Sequence, residues 1–99
     1  KNVGENAFSL VVEGDSMVNF GEGPSFIPGA TIIIDPDVTA TPGAFVVAQL
    51  PTDSAAILRK LQIEGGRHYL KPLNSHYPII ELPEDARVCG VVVEMRMIF

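Results

Sequence analysis

Ninety-nine residues make about one domain. The chain is 46% hydrophobic and 19% charged, which fits a folded core and excludes a disordered segment. A net charge of −5 repels phosphate backbones, so the chain by itself is not expected to grip DNA or RNA.

Nine glycines and eight prolines announce many turns, and helical periodicity is nearly absent. Phe8 to Val12 reads as a strand ended by Gly14-Asp15-Ser16. Val18 to Gly29, rich in Gly, Pro and Ser, reads as a loop. Thr31 to Ile34 is a β-branched strand stopped by Asp35-Pro36. Pro42-Gly43 turns the chain into Phe45 to Leu50, and Pro51-Thr52-Asp53 turns it again. Ala55 to Glu64 and Arg67 to Lys71 flank Gly65-Gly66, a two-residue hairpin signal. Ile79 to Leu82 is a short strand at most, and Arg87 to Phe99 is the longest candidate. Near its end Val93, Met95, Met97 and Phe99 alternate with Glu94, Arg96 and Ile98, so the apolar side is either core or a dimer seam. The expected fold is all-β and mostly antiparallel: a strongly bent sheet or partial barrel of about seven short strands.

Several function classes drop out. No stretch approaches the roughly 20 apolar residues that span a bilayer, and Lys1 to Phe8 lacks a signal-peptide core. Cys89, the single cysteine, cannot close an internal disulfide; it reads as a buried structural thiol in a reducing, cytoplasmic setting. His68 and His76 lack metal-ligand spacing, Asp35 and Asp37 read as turn carboxylates, and no phosphate loop or dinucleotide fingerprint is present. No cofactor or metal is implied.

What remains is Ser16, presented after a strand between Asp15 and Met17, with Lys60 forty-four residues on in Ile57-Leu58-Arg59-Lys60-Leu61. A serine hydroxyl needs a group to take its proton. Lysine can do so only when neutral. It titrates near ~10.4, so neutrality at pH 7 costs roughly 4–5 kcal/mol, a size that burial can supply. Strict alternation puts Ile57, Arg59, Leu61 and Ile63 on one face. Lys60 shares the other with Leu58 and Gln62, which leaves it half exposed.

Seven short segments follow one another in an informative order: Val12-Glu13-Gly14-Asp15-Ser16-Met17; Pro24-Ser25-Phe26 with Gly29; Ile34-Asp35-Pro36; Pro42-Gly43; Arg59-Lys60-Leu61; Tyr69-Leu70-Lys71-Pro72-Leu73-Asn74; and Tyr77-Pro78. Together, from about Phe8 to Val93, they resemble the C-terminal domain of phage lambda-type repressors and of their LexA and UmuD relatives. The resemblance implies a serine–lysine dyad, Ser16 as nucleophile and Lys60 as general base, with the backbone N–H groups of Asp15 and Ser16 holding the oxyanion. It implies self-cleavage at an upstream Ala-Gly or Cys-Gly bond, stimulated by a RecA filament, that inactivates a repressor in the DNA-damage response. It also implies a homodimer, or a higher oligomer, that contacts DNA only through a separate N-terminal domain.

This chain has no Ala-Gly or Cys-Gly bond before Ser16 and no helix-turn-helix. Residues 1–99 are therefore expected to be one dimerisation and self-cleavage domain of a longer cytoplasmic repressor. The alternatives are a catalytically silent dimerisation module and a UmuD-like polymerase accessory subunit.

Overall fold

The computed structural model describes residues 4–51 and 56–97, and its β-branched and apolar runs become strands where the turn residues leave them room. They are β1 (Phe8–Val11), β2 (Thr31–Asp35), β3 (Phe45–Gln49), β4 (Ala56–Glu64), β5 (Arg67–Lys71), β6 (Ile80–Glu81) and β7 (Arg87–Arg96). All pairings are antiparallel, in one sheet ordered β1-β2-β7-β3-β4-β5-β6. The fold is all-β, as expected, and the sheet stays open with β1 and β6 at its edges.

The bend comes from β7. Ile33 pairs with Glu94 but Ile34 with Val92; Val47 pairs with Gly90 but Ala48 with Val88. Each shift puts two β7 residues opposite one, which bends the strand and sharpens its twist. The backbones close in at Gly90, where an added Cβ would lie 2.6 Å from Ile34 Cγ2 and 3.0 Å from the Asp35 backbone.

Two hydrophobic clusters follow. One gathers Val12, Met17, Phe26, Ala30, Ile32, Ile34 and Val47; the other gathers Val46, Ala48, Leu50, Leu61, Leu70 and Val91. Neighbouring residues of β3 serve opposite clusters, as strand alternation requires. Phe26 meets Phe45 edge to face, with ring centroids 4.8 Å apart. The β4–β5 hairpin closes through Gly65 and Gly66, at φ 60° and 79°, which is the double positive-φ geometry of a two-residue turn.

Some details differ from expectation. Cys89 is only half-buried, because it is the extra residue of one β7 bulge. Of the two alternatives for the end of β7, core or dimer seam, exposure of Met95 and Met97 removes the core; Phe99 lies outside the described residues. Asp35 does more than stop a turn. It is buried, and its carboxylate accepts the N–H groups of Asp37 at 2.9 Å and Gly4 at 3.2 Å. None of the described residues forms a helix, so none forms one long and apolar enough to cross a membrane.

Candidate active site

Ser16 is placed by what brackets it. Gly14, at φ 72°, takes the left-handed conformation that turns the chain out of the β1 direction. Met17, only 1% exposed, anchors the far side in the first cluster. Beyond it, Phe26 N–H donates to the Met17 carbonyl at 2.9 Å. Asn19 organises the loop that follows: its amide donates to the carbonyls of Glu22 and Pro24, and its side-chain oxygen accepts from Gly21 N–H.

A second clamp comes from Asn74, a buried polar residue after β5. Its backbone N–H donates to the Ser16 carbonyl at 2.9 Å, and its side-chain amide donates to the Asp15 carbonyl at 3.1 Å. Its own side-chain oxygen accepts from His76 N–H at 3.0 Å. Sequence reading assigned Asn74 no role at the site, although it lies in one of the seven segments. Tyr77 adds a third tie, its hydroxyl donating to Asp15 Oδ1. That bond and the Asp15 charge raise the tyrosine's pKa, because both favour the protonated phenol. Among the described residues, no hydrogen bond uses the N–H groups of Asp15 and Ser16 themselves.

The hydroxyl opens onto a cleft of about 330 Å³ whose walls include Leu10, Val12, Met17, Ile32 and Leu58. The side chain that reaches Ser16 there is Arg59, whose Nη1 donates to Ser16 Oγ at 2.8 Å and to the Leu58 carbonyl at 2.7 Å. Its Nε is buried with no partner. Burial lowers the Arg59 pKa, with Tyr77 acting in the opposite direction.

Lys60 is elsewhere. The structure brings Ser16 together with Arg59, not with the lysine that sequence reading paired with it. Lys60 lines a separate depression with Pro42, Gly43, Gln62 and Lys71, and it stands opposite Phe45 on one side and Lys71 on the other. It is half-buried rather than stripped of solvent. The physical reason is strand alternation: consecutive β4 residues project to opposite sides, so one of the two cations faces the serine.

The two cations differ chemically. A guanidinium has five N–H donors and no acceptor, and it stays protonated in proteins. It can hold Ser16 Oγ in place, but it cannot take the hydroxyl proton. Among the described residues, no three His, Cys, Asp or Glu side chains gather as metal ligands would.

A backbone-clamped serine at the mouth of an apolar cleft, on an open antiparallel sheet, is the frame of a serine-peptidase-like domain. Residues 2–93 match the Peptidase S24-like family, and the chain belongs to it. It is 41% identical to repressor protein C2 of Salmonella phage P22 over 93 residues, 94% of this chain and 43% of that protein. It is 41% identical to the HTH-type transcriptional regulator for conjugative element SXT of Vibrio cholerae, covering 89% of this chain and 41% of that one. A LexA repressor of Pseudothermotoga lettingae is 33% identical over 98% of this chain and 46% of its own length. The chain thus spans less than half the length of these relatives. The resemblance drawn from the seven segments is borne out.

Proposed function

We propose that this chain is the regulatory part of a transcriptional repressor: it pairs protomers so that two DNA-binding parts reach two operator half-sites, and its serine site is catalytically silent. The observation that carries the silent site is the 2.8 Å bond from Arg59 to Ser16 Oγ, a donor where proton abstraction needs an acceptor. The repressor role is supported by similarity to full-length HTH-type regulators and phage repressors. Pairing is supported by apolar side chains left exposed on edge strand β1, Phe8, Leu10 and Val11, and by exposed Met95 and Met97. The net charge of −5 fits DNA contact through another part of the protein.

The second reading keeps the peptidase chemistry. Ser16 attacks a peptide bond upstream in the parent protein, Lys60 serves as base, Asp15 and Ser16 N–H groups hold the oxyanion, and a RecA filament stimulates the reaction. Membership of a peptidase family and similarity to LexA repressors favour it. It requires Lys60 to leave its depression and displace Arg59. A UmuD-like accessory role has no specific support here.

The parent protein decides between them. Sedimentation should give a dimer that binds operator DNA, and after DNA damage the silent reading expects full-length repressor to persist. Cleavage that is abolished by Lys60→Ala would establish the second reading. A monomeric parent with full operator affinity would remove the pairing role.

A further inference from the structure

We infer that Arg59 is a charge lock on Ser16, and that lysine at this one position would convert the silent site into a working serine–lysine pair. The inference rests on the silent reading above and deepens it by naming the residue responsible.

Three observations carry it. Arg59 alone among the described side chains hydrogen-bonds Ser16 Oγ, so the place a base must occupy is already filled. The clamp around the serine is intact: Met17 is seated, and Asn74 holds the carbonyls of Asp15 and Ser16. The nucleophile is therefore positioned, but the side chain that bonds its oxygen is a donor and not a proton acceptor; Glu13 lines the same cleft without a hydrogen bond to Ser16 among the described residues. Finally, the environment of Arg59 is partly desolvated, with Nε buried and unpaired. Lysine there would be a slightly shorter cation in the same surroundings, and burial lowers an amine's pKa towards neutrality. An amine can lose its charge within the working pH range, whereas a guanidinium cannot. Lys60, in a different depression, does not compensate.

The test needs no cleavage site. A fluorophosphonate supplied to the full chain reads the serine directly. Ser16 Oγ attacks phosphorus, an O–P bond forms, the P–F bond breaks, fluoride leaves, and the hydroxyl proton passes to the base. Intact-mass and peptide analysis then report a phosphonyl group on Ser16. The unsubstituted chain is expected to remain unlabelled between pH ~7 and ~9. Arg59→Lys should label at least about 100-fold faster, the usual scale for a positioned general base, with a rate that rises with pH. Arg59→Ala, which removes the lock without adding a base, should stay slow. Ser16→Ala combined with Arg59→Lys should take no label.

Rapid labelling of the unsubstituted chain would overturn the inference even if a variant failed to fold, and its loss on Lys60→Ala would assign the base to Lys60. A folded Arg59→Lys chain that stays unlabelled would also overturn it. None of these outcomes bears on dimerisation or operator binding, so the repressor role stands or falls separately.

Discussion

Asn74 donates its backbone N–H to the carbonyl of Ser16 at 2.9 Å, joining residues 58 positions apart in the sequence. With its side-chain amide on the Asp15 carbonyl, it fixes both peptide groups that flank the Ser16 Cα. Asn74→Ala keeps the first bond and loses the second, along with the acceptor for His76 N–H. Removing a buried, hydrogen-bonded amide and leaving its partners unpaired costs about 1–3 kcal/mol. The expected outcome is a lower urea midpoint at unchanged m-value, with faster hydrogen exchange confined to residues 14–18. An unchanged midpoint would mean that the clamp contributes no stability.

Gly90 is required by proximity rather than by its backbone angle. Gly90→Ala would place a methyl group 2.6 Å from Ile34 Cγ2, with the Asp35 backbone behind it at 3.0 Å. Backbone cannot step aside as a flexible side chain can. Overpacking of this kind costs about 1–3 kcal/mol. Thermal denaturation should show a clear drop in Tm, and an unchanged Tm would mean that β2 and β7 can move apart at no cost.

Tyr77 gives the chain an alkaline sensitivity. Its pKa is raised in the folded state by the hydrogen bond and charge of Asp15. The folded protein therefore holds the phenolic proton more tightly than the unfolded chain. The associated stability is complete below the unfolded value near ~10 and disappears as pH rises through the higher folded value. Ultraviolet titration should find one of the two tyrosines ionising late, and Asp15→Asn should bring it back towards the ordinary value. In Tyr77→Phe this component of the alkaline stability loss should vanish.

Met17 couples the serine turn to the core. It is 1% exposed and packs with Phe26 and Ile32. Met17→Ala should cost about 2–5 kcal/mol, because both transfer energy and a residual cavity are involved. Met17→Leu, close in volume, should cost under about 1.5 kcal/mol. Chemical denaturation of the two variants side by side checks both values.

Much of this architecture is legible in the chain. Arg67–Lys71 matches its expected bounds, β1 to β3 each differ by one residue at an end, and β4 ends at Glu64 as expected, while Ala55 and the expected turn at Thr52-Asp53 lie outside the described residues. Short β-branched runs between Pro and Gly turns leave little choice of element. The turn that presents Ser16 is legible for the same reason. What local pattern could not deliver was the partner of that serine. Arg59 and Lys60 are adjacent cations, and choosing between them requires knowing which side of β4 faces residues 14–17 across the fold. The bulges that bend β7 shape that relationship, and neither leaves a turn residue as a marker, since the extra residues are Cys89 and Val93. Asn74 was hidden similarly: its partners are carbonyls, which look alike at every position.

The place of β7 in the sheet has a consequence for biosynthesis. Among the described residues, β1-β2 and β3-β4-β5-β6 are joined into one sheet only by pairing with this strand, which is the last of the seven to leave the ribosome. Until Arg87 to Arg96 emerges, the edges of β2 and β3 that it pairs with have no partner strand, and unpaired edges favour aggregation. A nonsense codon just ahead of Arg87 would remove the keystone of the sheet rather than trim its margin.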